Sequence, residues 1–323
     1  VAIALVKKIE RFFFNSMPYR FAVARSKRII LPGFEGVPLY DVIKFFLNQV
    51  KKVGLNDRAR AVAFSFLSAI PAAAIFICTL IPYLPIAKAI KRQLLLLTKD
   101  ITPNQNTFLL VKGFLEDFLD KQRVGLLSFG FLLAIFYSSN AMMGIMRSFN
   151  KSLIYNQKRN ILQNRWMAIK LTILIIVFVI GSVIILVTQD ELLKNLLNWM
   201  GVKGHSAKWL FKTLRWVIII PLFYYSIAFI YKYAPAVKKR WNLASPGTLL
   251  ATGLIIATTL LFSSWVNKFG NYNKVYGSIG TILILMILVY FNSLVLLIGY
   301  ELNVSIHHLL LMADERKEKK KKN

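Results

Sequence analysis

A chain of 323 residues with 56% hydrophobic and only 17% charged side chains is not an ordinary water-soluble domain, which carries about 25% charge. Its net charge of +28, from 42 Lys and Arg against 14 Asp and Glu, would point to nucleic acid in a soluble protein; in a membrane protein it reports orientation and contact with anionic head groups. A lone cysteine, Cys78, excludes an intrachain disulfide.

The apolar residues collect in runs of about 20, the length that crosses ~30 Å of hydrocarbon at ~1.5 Å per residue. Only helices and closed barrels satisfy their backbone groups there. Barrel strands would alternate with period two over segments of about ten residues. These runs are continuous, so the expected fold class is all-α: a polytopic membrane protein with six transmembrane helices.

In chain order, residues 1–57 read as a basic, amphipathic cytoplasmic or interfacial segment, with Phe12, Phe13 and Phe14 among Lys7, Lys8, Arg11 and Arg20. No cleavable signal peptide is expected, because the residues up to Arg28 lack a long apolar core. After breaks at Leu31-Pro32-Gly33 and Gly36-Val37-Pro38, the stretch from Asp41 to Leu47 has apolar residues at helical spacing, the pattern of a helix lying on a membrane surface. The transmembrane domain is expected over residues 58–305. Its spans run from about Ala61 to Pro85, Val124 to Met146, Met167 to Thr188, Trp209 to Tyr231, Pro246 to Val266 and Ile279 to Val304. A part-helical connection, with a helix from Phe108 to Leu119, joins the first two. A Lys-rich cytoplasmic tail, residues 306–323, follows.

The loops set the orientation. Arg147, Lys151, Lys158, Arg159 and Arg165 follow span two, and Lys232, Lys238, Lys239 and Arg240 follow span four, with no acid in either loop. On the other side Asp100, Glu116, Asp117 and Asp120 offset the bases, and Asp190 and Glu191 follow span three. The positive-inside rule therefore places both termini in the cytoplasm. Pro71 is followed by Pro85 and Pro221 by Pro235, fourteen residues on in each case. Three spans separate the two pairs, which fits two inverted three-helix repeats, a transporter architecture.

Glu301 is the one acid of the fourteen inside a span. A carboxylate at membrane depth costs about 2.5–3.5 kcal/mol on insertion scales and should face the bundle interior with a partner. It fits a proton or cation site, or a polar lock; it fits equally a plain pairing with Arg58 or Arg60 near the interface. Arg58, Arg60, Arg147 and Lys170 stand at cytoplasmic helix ends, where guanidinium groups match phosphate oxygens or merely anchor the helices. Ser138, Ser139 and Asn140, with Thr258, Thr259, Ser263 and Ser264, either line a cavity or bond neighbouring helices. Pro71 and Pro221 are hinge or kink positions. His205, His307 and His308 do not converge as metal ligands, and neither a Walker loop nor a G-x-S-x-G turn occurs. No metal, cofactor or enzymatic activity is expected.

Four segments carry a resemblance. The run from Asp57 to Phe64 leading into Ala69-Ile70-Pro71, the pair Tyr233-Ala234-Pro235 and Ser245-Pro246-Gly247, the run Tyr276-Gly277-Ser278-Ile279-Gly280, and Gly299-Tyr300-Glu301-Leu302-Asn303 resemble the YihY/virulence factor BrkB family over about residues 40–305. Leu288-Val289-Tyr290 stands where the family commonly has a tryptophan. The resemblance implies six spans in the bacterial inner membrane. The family's earlier assignment as ribonuclease BN, a tRNA-processing enzyme, was withdrawn. Ties of some members to envelope or lipid-precursor traffic and to serum resistance imply transport.

The expected function is therefore a secondary transporter or flippase of an anionic envelope lipid or lipid precursor. Arg58, Arg60, Arg147, Lys170, Glu301 and Asn140 are its candidate lipid-binding residues. The alternative is a non-transporting membrane scaffold that binds lipid or partner proteins, and tRNA processing is a distant third. The expected partners are anionic phospholipid and the membrane, not nucleic acid, and self-association is compatible with such a chain. Reporter fusions at Lys158 and Lys239 are predicted to report cytoplasm, and fusions at Asn104 and Lys203 the opposite side. An extracytoplasmic signal at Lys239 would overturn this orientation.

Overall fold

The computed structural model describes residues 17–83, 105–153, 159–199, 205–237, 241–268 and 272–322, with scattered positions between 87 and 98. For 17–20, 182–199, 205–216, 272–279 and a few further positions it describes the backbone alone. Phe12 to Phe14, Lys158, Lys238 to Arg240, Asp100, Asn104 and Lys203 lie outside the described residues.

The described residues form helices α1 (Met17–Ser26), α2 (Leu39–Lys52), α3 (Leu55–Leu80), α4 (Gln105–Asp120), α5 (Val124–Asn150), α6 (Ile161–Trp199), α7 (His205–Tyr233), α8 (Pro246–Lys268) and α9 (Tyr272–Lys322). Local chemistry sets several of these ends. α2 starts after Pro38, carries Asp41 in its first turn and ends on Lys51 and Lys52, charges that complement the helix dipole at both ends. Gly54, at φ +63°, supplies the left-handed turn that a side chain would resist and redirects the chain into α3. That helix closes in a single 3₁₀ turn, Ile81–Tyr83, where Pro82 removes a backbone donor.

α3, α5, α6, α7, α8 and α9 pack in a closed ring: each touches the next in that order, and α9 returns to α3. The outer faces are apolar and exposed, with Phe64, Leu132, Val177, Leu261 and Ile282 each more than half accessible. Exposed apolar area of this extent marks an interaction surface, and on a ring of long apolar helices that surface is lipid. Among the described residues, five helical stretches are long and apolar enough to cross a membrane: Leu55–Tyr83, Val124–Asn150, Ile161–Gly181, Pro246–Val266 and Ile282–Glu315. They coincide with five of the six expected spans. The remaining one, Trp209 to Tyr231, falls within α7, which is not among the five.

The structure adds to these expectations at two places. The Lys-rich stretch after residue 305 continues α9 without a break to Lys322. After Gly299 the sequence holds neither Gly nor Pro, and Leu, Met, Ala, Glu, Arg and Lys all favour helix. The amphipathic α2 does not only face outward. Phe34, Val37 and Val42 pack with Ile306 of α9, and Phe45 stacks on His308 at 4.8 Å. Ile43 and Leu47, on the other face, remain exposed. The connection before α5 is helical over Gln105–Asp120, as its pattern indicated. Lys121 and Arg123 hold the Asp117 carboxyl below its ordinary range, through a hydrogen bond from Lys121 first.

Backbones come closest where α8 crosses α9. A Cβ at Gly299 would lie 2.6 Å from Ala251 Cβ and from the Gly247 carbonyl oxygen, and 2.7 Å from the Tyr231 hydroxyl. Small residues at such a crossing let two membrane helices gain dispersion contacts over their whole length. Gly299→Ala is predicted to destabilise by about 1–3 kcal/mol, the usual cost of overpacking, seen as a lower thermal midpoint of the detergent-solubilised protein. Gly253→Ala, where nothing lies within 4 Å, should leave the midpoint in place. Equal behaviour of the two variants would refute the close-crossing account.

Candidate functional site

Three of the four motif segments converge at one end of the ring, the end that carries the basic loops. Arg58, one turn into α3, is only 4% exposed, and Glu301 of α9 is wholly buried. The Arg58 Nη1 donates to Glu301 Oε1 at 2.8 Å, and Nη2 donates to the Ser148 carbonyl at the end of α5. The Ser152 hydroxyl donates to the same Glu301 oxygen. Arg58 Nε and Glu301 Oε2 meet no hydrogen-bond partner. One guanidinium thus joins the start of the first ring helix to the end of the second and to the last.

Aromatic rings close the layer around this pair. Phe149 of α5 lies flat on Tyr300 of α9, with centroids 3.7 Å apart and planes within 3°. Tyr231 of α7 meets both rings edge-on and donates its hydroxyl to the Leu296 carbonyl at 2.6 Å. Asn303 of α9 accepts from the Gly247 N–H at 2.8 Å and donates to the Ser245 hydroxyl at 2.8 Å. Arg159 donates to the Ala234 and Pro235 carbonyls, and the Ala236 N–H donates to Asn150. The loops after α5 and α7 are therefore stitched to each other.

Next to this sealed end lies a cavity of about 550 Å³, inside the ~300–1,000 Å³ range of ligand sites. Every helix of the ring lines it: Phe66, Met142, Ile175, Ile227, Ile255 and Leu296 stand for α3, α5, α6, α7, α8 and α9 in turn. Glu301 is five residues beyond Leu296 on α9, a rise of about 7–8 Å. The ion pair and the aromatic layer thus lie between the cavity and the end with the basic loops. Among the described residues, no Lys, Arg, His, Asp or Glu lines the cavity. Its polar groups are hydroxyls and one carboxamide, on Ser138, Thr172, Ser226, Thr259, Asn292 and Ser293.

Of the residues singled out from sequence, the structure brings Arg58 and Glu301 together. Arg60 lies outside, in an exposed pair with Asp57. Arg147 is exposed and donates to the Met143 carbonyl of its own helix, and Lys170 is exposed on α6. Asn140 accepts from Arg165, whose guanidinium also lies 4.3 Å from the Phe136 ring centre, so it fastens α6 to α5. α3 and α7 run through Pro71 and Pro221 without ending, and both prolines are exposed. Sequence reasoning passed over Ser148, Ser152, Thr172 and Asn292. The last two carried a usable signal, a polar side chain at mid-span, the same signal that drew notice to Ser138 and Thr259. Ser148 contributes through its backbone, which no residue pattern reports.

The family model for virulence factor BrkB matches residues 46–323. The chain is 29% identical over 261 residues to the ribonuclease-like protein YfkH of Bacillus subtilis, covering 80% of this chain and 93% of that one. It is 29% identical over 102 residues to the UPF0761 membrane protein IL2447 of Idiomarina loihiensis, covering 32% of this chain and 36% of the other. A UPF0761 membrane protein of Tolumonas auensis is 35% identical over 80 residues, 25% of this chain and 26% of that one. No solved structure matches the chain.

Removing one partner of a buried ion pair strands the other charge and costs about 3–5 kcal/mol, whereas replacing both by apolar groups is often near neutral. Arg58→Leu and Glu301→Leu are each predicted to lower the unfolding midpoint sharply, and the double variant to recover much of the loss. A double-mutant cycle by thermal or denaturant unfolding measures this. Strictly additive losses would show that the two side chains act independently.

Proposed function

The chain belongs to the virulence factor BrkB family of membrane proteins, and from that premise we propose that it is a secondary transporter or flippase that moves an amphipathic envelope lipid across the bilayer. The observation that carries this reading is the cavity of about 550 Å³ lined by all six ring helices. A scaffold needs no such space, and close packing would serve it better. The reading takes α7 as the sixth span, which puts both termini on one side, the cytoplasmic side of a bacterial inner membrane. It divides the ring into two inverted halves of three, each led by a helix with an internal proline, Pro71 in α3 and Pro221 in α7.

On this reading the Arg58–Glu301 pair is a latch. It holds α3, α5 and α9 together at the cytoplasmic end, and the cavity opens to that side only when these helices part. Whatever weakens the pair favours opening. The exposed bases Arg60 and Arg147 lie on the outside of this end and attract anionic lipid by about 1 kcal/mol each, whereas Lys170 is exposed further along α6, two residues from the cavity-lining Thr172. The anionic partner therefore meets the protein at its rim, while the cavity is free of charge. The distant alternative, tRNA cleavage, wants clustered carboxylates or imidazoles to hold metal and activate water, and the cavity lining has none.

Purified protein in liposomes is predicted to speed the transbilayer movement of a fluorescently labelled long-chain lipid several-fold over protein-free vesicles. Ser138→Phe, which fills the cavity, should abolish that gain while the protein still folds and inserts. Movement no faster than in protein-free vesicles would favour the membrane scaffold, as would full activity in the filled variant.

A further inference from the structure

Two residues that line the cavity each carry a buried oxygen with no hydrogen-bond partner. The Thr172 hydroxyl, on a residue only 5% exposed, neither donates nor accepts a hydrogen bond, and the buried Oδ1 of Asn292 accepts none. Both residues line the cavity, Thr172 from α6 and Asn292 from α9. A buried polar atom without a partner costs about 1–3 kcal/mol. Neighbouring polar groups do not relieve it: Ser226 spends its hydroxyl on the Leu222 carbonyl of its own helix.

The chemistry of these atoms constrains what fills the space. Asn292 Oδ1 only accepts, so its partner has to donate. A phosphate diester or a carboxylate offers no donor. Either would also be an unpaired charge at membrane depth, since among the described residues no base lines the cavity and the charge of the nearby Arg58 is already paired with Glu301. A hydroxyl can serve either atom, donating to Asn292 or accepting from Thr172. The remaining wall is apolar, built of Ile, Leu, Val, Met and Phe, and takes hydrocarbon.

We infer that the cavity binds an uncharged lipid alcohol, a long hydrocarbon chain bearing a free hydroxyl, held by Thr172 and Asn292. This deepens the transport reading and rests on it for the role of the site, but binding is measurable without transport. Two sources share the chemistry, a diacylglycerol and a polyprenol, and competition with each separates them.

The full-length protein in nanodiscs is labelled with a photoreactive long-chain alcohol and, in parallel, with the phosphate ester of the same chain. The expected result is labelling by the alcohol on peptides of α5, α6 and α9 that contain Met142, Ile175 and Leu296, with the ester confined to the helix ends near Arg60 and Arg147. Thr172→Val and Asn292→Leu should each weaken alcohol labelling by roughly five- to tenfold, the value of one buried hydrogen bond, and Thr172→Ser should retain it. Equal labelling of the cavity by the ester would overturn the inference, as would unchanged alcohol labelling in the two variants. Lipid movement measured on the same preparation separates the two ideas. Cavity labelling by the alcohol without movement retains the site and discards the transporter; movement with the ester in the cavity does the reverse.

Discussion

Arg58 and Glu301 stand 243 residues apart and meet where α3 begins, α5 ends and α9 passes. Neither charge is tenable alone at that depth, because an isolated buried ion costs far more than any single contact returns. The pair therefore obliges α3 and α9 to lie side by side, and the second guanidinium nitrogen, bound to the Ser148 carbonyl, obliges α5 to finish beside them. The flat Phe149–Tyr300 stack and the Asn303 bridge to Gly247 and Ser245 then fall into place one turn either side. With the ends of the ring so fixed, the helices have no freedom to collapse inward.

That constraint accounts for the cavity. Six helices around one axis leave a space unless long side chains fill it, and the positions facing that space include Ala69, Ala141, Ser138 and Ser226, too small to do so. A bundle held shut at one end by a charged, aromatic layer and left hollow beside it has the parts of a gate and a chamber. The same layer separates two kinds of chemistry. Bases cluster outside it, facing anionic head groups; inside it there are hydroxyls, one carboxamide and hydrocarbon. An ionic group would meet the rim favourably and the described lining of the chamber unfavourably, so the layer at Arg58 and Glu301 is a chemical boundary as well as a seam.

Much of this was legible residue by residue. The five segments that the structure offers as membrane-crossing helices announce themselves by local hydropathy, because each must satisfy its own backbone in hydrocarbon. Glu301 stood out as the lone acid within a span, and Arg58 was one of two bases offered as its partner. Choosing between Arg58 and Arg60 depended on which face of α3 turns inward. Both faces of a lipid-exposed helix are apolar, so periodicity does not mark the inner one. Thr172 and Asn292 were overlooked for the same reason: a polar residue in a span declares its cost but not its neighbour.

The sequence by itself determined that the chain is helical, that it lives in a membrane and that its bases favour one side, since these follow from transfer energies summed over consecutive residues. The last helix runs past the expected span end at Val304 to Lys322, a continuation that the helix-favouring residues after 305 allow. Only the tertiary structure decided the order of the ring, the partner of Glu301, the inward packing of α2 and the presence of a charge-free chamber. Each of these is a relation between residues far apart in the chain, made by packing and by desolvation of paired groups, and no local pattern carries it.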